Sequence, residues 1–261
     1  LYIESDPGVE QIKVDKRARS TIEYLKQHRA LFTFGENIGT DRFPVPLHKL
    51  NWLPTRQPVA TDLWKSNRPP ATAAVFTSIA NWSTSGLKDI EWRGETYLWS
   101  KSREFLRFVA APKRADEPFE LATDIKDEKI RAKFLRNGWR FRSPHEMSVD
   151  YWSYRDYIRR SKGEFTVAKD QYVRLHTGWF SDRSACYLAA GRPVITQQTG
   201  FTDHYGNDGG LFAFTSVGEI AEAVRAIKLD YKKHSRAARA LARQVFEAEK
   251  VVGQILERAG V

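Results

Sequence analysis

The sequence contains a single cysteine and no apolar run near the ~18 residues that a membrane-spanning helix needs. One thiol cannot form an internal disulfide, which suits a reducing compartment, and we expect a cytoplasmic protein without a membrane span. Cys186 lies in the apolar pattern of a predicted helix, so we interpret it as a small buried hydrophobic residue.

Glycine-rich phosphate loops and metal motifs are also missing. There is no Walker loop and no G-x-G-x-x-G after the first strand, which argues against an ATPase or a dinucleotide dehydrogenase. The six histidines and the cysteine form no H-x-x-x-H or C-x-x-C pair, so neither a metal nor a cofactor is predicted. No glycine follows Ser181 where a nucleophile elbow requires one.

Acidic residues are outnumbered: 42 Lys and Arg face 32 Asp and Glu, giving a formal net charge of +10. This balance favours an anionic partner, which could be a nucleic acid, a phosphate-bearing small molecule or an acidic membrane surface. No tract of five or more basic residues occurs, so a dedicated nucleic-acid tail is not indicated. Nucleic acid is thus an improbable partner that the charge alone leaves open.

Apolar runs alternate with helical patterns through most of the chain, which predicts an α/β protein. The fold class expected is a Rossmann-type parallel six-stranded sheet with helices on both faces, preceded by part of a second α/β domain. Strands are predicted at 74–79, 119–122, 139–141, 164–168, 193–196 and 211–214. Helices are predicted at 102–111, 127–137, 149–160, 181–190, 233–246 and 248–259, with a further one capped by Ser216.

Three segments follow from this pattern. Residues 1–50 are predicted to end one α/β domain, the proline-rich residues 51–72 to connect two domains, and residues 73–261 to form the second domain. The chain opens directly in an apolar strand, so we expect a fragment that lacks most of its first domain. Glu36 and Asn37 follow the apolar run 30–34 and are either a solvated turn or part of a ligand site.

The stretch 161–200 is the strongest site candidate. It predicts a buried strand, a polar loop, a Gly-Trp-Phe turn and a helix that begins at Ser181 or Asp182. A helix N-terminus attracts phosphate through its free N–H groups and its dipole, and loop cations add to the attraction. The candidate phosphate-binding residues are Lys169, Arg174, His176, Gly178, Ser181, Asp182, Arg183 and Ser184.

Four of these side chains also have a plainer interpretation. Arg183, Arg174 and Lys169 could instead form surface salt bridges, and His176 could bond to the backbone. Asn81 and Trp82 follow the first strand of the larger domain, where they could contact phosphate or acceptor, or simply pack. The aromatic helix at 149–160 is interpreted as core rather than as a stacking platform.

The segment Leu-Ala-Ala-Gly-Arg-Pro-Val-Ile-Thr at 188–196 resembles the A-x-G-x-P-V-I segment of glycosyltransferases of the GT-B fold. The resemblance covers residues 73–261 and implies that they form the nucleotide-sugar-binding domain, with the last helix returning toward the acceptor-binding domain. It implies that Arg142 and Ser143 lie near the nucleobase and that Gln197 and Thr199 belong to the polar loop on the donor side.

One position departs from the family pattern. Many retaining members carry a Glu five residues before the glycine of this segment, where it binds the donor ribose, and here that residue is Cys186. Asp182 or Ser184 would then take the ribose, or the donor would be held differently.

The function expected from the resemblance is transfer of a sugar from a nucleotide-diphosphate donor to a hydroxyl acceptor without a metal. Backbone N–H groups and cationic side chains would stabilise the leaving diphosphate. An inverting enzyme would also need a general base, expected mainly from the missing region, so the fragment could bind donor without turnover. The alternatives are a non-catalytic basic nucleic-acid-binding or scaffold protein, and a nucleotide-sugar epimerase on the same fold.

Overall fold

The computed structural model describes residues 1–65, 70–71, 74–83, 89–207 and 209–261. The strands, numbered in chain order, are β1 (Tyr2–Glu4), β2 (Leu31–Thr33), β3 (Trp52–Pro54), β4 (Phe76–Ile79), β5 (Ile90–Trp92), β6 (Glu95–Tyr97), β7 (Phe119–Ala122), β8 (Trp139–Arg142), β9 (Gly163–Thr166), β10 (Val194–Gln197) and β11 (Leu211–Phe214). The helices are α1 (Val9–Asp15), α2 (Arg19–Lys26), α3 (Thr61–Trp64), α4 (Ser102–Arg107), α5 (Ala111–Ala115), α6 (Glu128–Arg136), α7 (Pro144–Ser148), α8 (Tyr151–Arg160), α9 (Asp170–Arg174), α10 (Asp182–Ala189), α11 (Thr202–Tyr205), α12 (Val217–Leu229), α13 (Tyr231–Val245) and α14 (Ala248–Ala259).

The larger sheet has six strands in the order β11-β10-β9-β4-β7-β8, and every pairing is parallel. The predicted Rossmann-type sheet is therefore confirmed. Successive strands β4, β7 and β8 extend to one side, and β9, β10 and β11 extend to the other. The order thus reverses between β4 and β9, which is where open α/β sheets bind ligands at the carboxyl ends of their strands.

Helices cover both faces of this sheet because both faces carry apolar side chains. On one face Phe76, Phe119 and Phe165 pack into a core with side chains of α4 to α6 and α12. On the other, Val194 and Leu211 pack with side chains of α8, α10 and α13. The two layers fix the helix that begins at Asp182 against the strands of the switch point.

A smaller parallel sheet, ordered β1-β2-β3, is built by the first part of the chain. Its strand β3 lies inside the segment 51–72, so the start of that segment belongs to this sheet. Helix α14 packs on the same sheet, where Val251 and Ile255 contact the fully buried Phe32. The division into 1–50, 51–72 and 73–261 stays a prediction.

Two helical boundaries differ from expectation. The helix predicted at 102–111 is two helices, α4 and α5, because Pro112 lies in the first turn of α5. A proline lacks the N–H that a continuing helix needs there, but it suits a helix start. The loop predicted around Lys169 to His176 contains the short helix α9.

The hairpin β5–β6 was not predicted, and the sequence gives little signal for it. Its strands have three residues each, too few for a clear alternating pattern. Arg93 and Gly94 join them with φ of 50° and 78°, the left-handed values that a tight two-residue hairpin turn requires. Among the described helices, none has both the length and the apolar character to cross a bilayer.

Candidate functional site

A pocket of about 280 Å³ opens where the strand order reverses between β4 and β9. Its walls come from the loop after each of these strands, from α10, from the segment before α4, and from the loop after β1 of the smaller sheet. The lining residues are Asp6, Ala80, Asn81, Trp99, Lys101, Lys169 and Arg183. Three of them, Asn81, Lys169 and Arg183, are predicted site residues that the fold brings together.

Lys101 is the least compensated charge in this pocket. Its ammonium lies 5.5 Å from the centre of the Trp179 ring, and it has no salt-bridge partner among the residues that the structure describes. Burial, together with the neighbouring positive charges of Arg183 and Lys169, lowers the pKa of Lys101 to about 7, although the carboxylates of Glu164 and Asp182 act in the opposite direction. The charged form of this buried lysine has no salt bridge among the described residues, so an anion bound in the pocket would stabilise it.

Lys169 and Arg183 each form a salt bridge with a carboxylate. Lys169 donates to Asp6 and lies 3.6 Å from the centre of the Trp99 ring. Arg183 donates from Nε to Oε1 of the fully buried Glu164 at 2.6 Å, and from Nη2 to Thr166 at 2.8 Å. These bonds hold the guanidinium beside the sheet, with 12% of the side chain exposed.

Helix α10 begins at the same place. Ser181 is its N-cap residue, and no side chain of the described residues caps its first turn. The first N–H groups of a helix have no partner within the helix, and the Asp182 carboxylate stands in the first turn, where a negative charge is favourable. The hydroxyl of Ser184 is buried and has no hydrogen-bond partner within the described part of the chain.

Two predicted site residues, Arg174 and His176, lie outside the pocket. Arg174 pairs with Glu95 and Asp170 and donates to the Thr96 carbonyl at 2.8 Å, so its guanidinium is bound to the β5–β6 hairpin. His176 is exposed, and its carbonyl accepts from the side chain of Asn37 at 2.9 Å. The structure therefore does not group Arg174 or His176 with Lys169.

Gly178 lies where the loop before α10 meets the loop after β2. Its φ is 75°, and a Cβ there would stand 2.7 Å from the backbone nitrogen of Asn37. The neighbouring amide of Asn37 donates to the Thr177 carbonyl at 3.0 Å. Glu36 and Asn37 are both buried at this contact, so the solvated-turn interpretation of these residues is wrong.

Gln197 and Thr199 hold neighbouring loops in place. The Gln197 side chain accepts from the Ala168 amide at 3.0 Å and donates to Glu104 at 2.6 Å. These two contacts fix the residue before Lys169 and the helix that follows Lys101. Thr199 accepts from the Gly178 amide through its carbonyl and donates to the Trp179 carbonyl through its hydroxyl.

Arg142 and Ser143 belong to a different part of the large sheet. Arg142 donates to Glu120 at 3.1 Å and lines a separate cavity of about 620 Å³, and Ser143 is the N-cap of α7. Trp152 lines the same cavity and is 59% exposed, so the interpretation of the aromatic helix as core is wrong for this residue. Trp82 packs against Phe105 and Phe134, as its packing interpretation expects.

Four lining residues were missed: Asp6, Ala80, Trp99 and Lys101. Lys101 had a usable signal, because it is the N-cap residue of α4, where Ser, Thr, Asp or Asn is preferred and a cation opposes the helix dipole. Asp6 and Trp99 carried no comparable signal, since their place depends on how the small sheet and the hairpin dock.

No protein-family model matches the chain, and no curated protein does. Solved structures match with low identity. HepE from Anabaena aligns with a TM-score of 0.60 and 14% identity over 99% of this chain and 70% of its own. A glycosyltransferase from Rickettsia africae aligns with a TM-score of 0.60 and 13% identity over 95% of this chain and 66% of its own. TarM aligns with a TM-score of 0.57 and 11% identity over 94% of this chain and 46% of its own.

These similarities concern the fold. The chain spans less than half the length of TarM. Its architecture is that of GT-B glycosyltransferases, so the predicted GT-B-like fold is confirmed.

Proposed function

We propose that the pocket between β4 and β9 binds the diphosphate of a nucleotide sugar, and that the chain is the donor-binding part of a glycosyltransferase. The observation that carries this proposal is the meeting of Lys101, Lys169 and Arg183 at the switch point, with Lys101 forming no salt bridge among the described residues. A diphosphate supplies the missing negative charge.

The reaction would use these groups directly. The bond between the anomeric carbon of the sugar and the β-phosphate oxygen breaks with its electron pair on the diphosphate, the acceptor oxygen bonds to that carbon, and the acceptor's hydroxyl proton passes to water. Negative charge then grows on the diphosphate, where Lys101, Lys169 and the first turn of α10 stabilise it. Removing one such group from a preorganised site costs on the order of 100-fold or more in rate.

The choice of donor is supported by a structure of the same fold. HepE has been solved with UDP and glucose, so UDP and UDP-glucose are the first ligands to test. The acceptor would be a hydroxyl entering past Asp6, on the side of the small sheet.

We also propose that transfer needs no divalent ion, because cationic side chains supply the neutralisation. Assays with and without EDTA test this point. Equal rates are expected, and a rate that returns only on adding Mg²⁺ or Mn²⁺ would contradict it.

The binding proposal is tested by titration calorimetry of the folded chain with UDP, GDP and TDP. We expect one of them to bind, and we expect K101M and K169M to weaken binding by about tenfold or more, because each removes a charge-assisted contact. K232M is the matched control, since Lys232 is exposed on α13 and distant in sequence from the pocket segments. The proposal would be contradicted if none of the three nucleotides binds, or if K232M loses as much affinity as K101M and K169M. Salt-dependent binding of duplex DNA would instead favour the nucleic-acid alternative.

A further inference from the structure

We propose that Asp6 is a displaceable counter-ion of Lys169 and that it sets how tightly the pocket holds a diphosphate. The inference rests on the proposed function and adds a residue that determines ligand affinity. It gives the small sheet a part in donor binding.

The geometry places one carboxylate oxygen of Asp6 against two groups of the large domain. Oδ1 of Asp6 accepts from the Lys169 ammonium and from the Tyr172 hydroxyl. Tyr172 is buried and its ring lies 4.4 Å from that of Trp179, which fixes the hydroxyl. Asp6 itself is 43% exposed, so it stands at the open side of the pocket.

The charges of the pocket show what a ligand must do. Arg183 forms a salt bridge with Glu164 of β9, and Lys169 forms one with the partly exposed Asp6. Only Lys101 has no salt-bridge partner among the described residues of the pocket. A diphosphate with two or more negative charges therefore needs Lys169 as well, and it must compete with Asp6 for that ammonium.

Glu164 and Asp6 are not equivalent in this competition. Glu164 is fully buried, and its partner Arg183 also donates to Thr166, so the Arg183 pair is held in place. Asp6 lies in a loop directly after a three-residue strand and reaches solvent. An ion pair with one partly exposed member is weak, so its exchange for a diphosphate contact is feasible.

The test is the affinity of D6N for UDP and for inorganic pyrophosphate, measured by titration calorimetry. Neither probe carries a sugar, so any contact between Asp6 and the sugar stays out of the measurement. Removing the competing carboxylate is expected to raise the affinity for both ligands by roughly three- to tenfold, the range for a partly exposed ion pair. D6S keeps an oxygen for the Tyr172 hydroxyl and is expected to show the same gain if D6N folds poorly.

E10Q is the matched control. Glu10 lies four residues after Asp6 and pairs with Lys13 at 2.8 Å, so E10Q removes the same charge nearby without freeing Lys169. The double variant D6N/K169M should bind no tighter than K169M, because the competition requires the lysine.

The outcomes separate cleanly. If D6N and D6S bind no tighter than wild type, or if E10Q gains as much affinity as they do, the role of Asp6 is overturned. The proposed function still stands in that case, provided that the wild-type chain binds the ligands. A folded wild-type chain that binds neither UDP nor pyrophosphate overturns both.

Discussion

At the residue scale, the protonation state of Lys101 determines the net charge of the pocket. With the pocket empty, burial holds the pKa of Lys101 at about 7, so near neutral pH a substantial fraction of its ammonium groups has lost the proton. A bound diphosphate provides a counter-charge and raises that pKa, because an opposite charge favours the protonated form. Binding above pH 7 must therefore take up a proton.

We accordingly expect the affinity for UDP to fall as the pH rises above 7, by up to about tenfold per pH unit. The direction follows because the free lysine loses its charge first while the bound lysine keeps it. Titrations in two buffers with different ionisation enthalpies measure the proton uptake directly. K101M should lose this uptake, and a pH-dependent uptake of the same size in K101M would contradict the assignment.

At the scale of elements, the β5–β6 hairpin and α9 support the segment that carries Trp99 and Lys101. The carboxylate of Asp170 in α9 accepts from the Leu98 amide at 3.0 Å, and Arg174 of the same helix bonds to the hairpin. Arg174 is thus a support of the site and does not line it.

R174M tests this distinction. We expect it to lower the free energy of unfolding by roughly 1 kcal/mol, since an ion pair of partly exposed groups contributes little more. Its UDP affinity should stay within about twofold of wild type, against the tenfold or greater loss expected for K169M. Calorimetry and urea unfolding measure the two effects. A loss of affinity in R174M as large as that in K169M would mean that Arg174 contacts the ligand.

The sequence predicted these elements unevenly, for a physical reason. Strands such as β7 and β11 are apolar runs bounded by turns, and both were predicted with their observed ends. Asn81 and Lys169 were found because they directly follow strands at the switch point. Asp6 follows a strand of the small sheet and Lys101 follows no strand of the large sheet, so only tertiary docking shows that they reach the same pocket.

At the scale of the whole molecule, the loop after β2 and the loop before α10 approach each other so closely at Gly178 that a side chain there would clash. A Cβ at this position would meet the Asn37 backbone nitrogen at 2.7 Å, and the positive φ of 75° adds strain. The backbone contact also orients the small sheet, which brings Asp6 to Lys169.

We expect G178A to destabilise the chain by roughly 2–4 kcal/mol, because strain and the clash act together. G94A is the matched control: its φ is 78°, but a Cβ there meets nothing within 4 Å, so only the strain of roughly 1 kcal/mol applies. Urea unfolding of both variants measures the difference. Equal losses in G178A and G94A would show that the close approach is absent in solution.

The most direct test of the whole account is a crystal structure of the chain with UDP. The account predicts diphosphate oxygens within about 3 Å of the Nζ atoms of Lys101 and Lys169, at the start of α10. A diphosphate bound elsewhere, for example in the cavity beside Arg142, with the Lys101 pocket left unliganded, would contradict it.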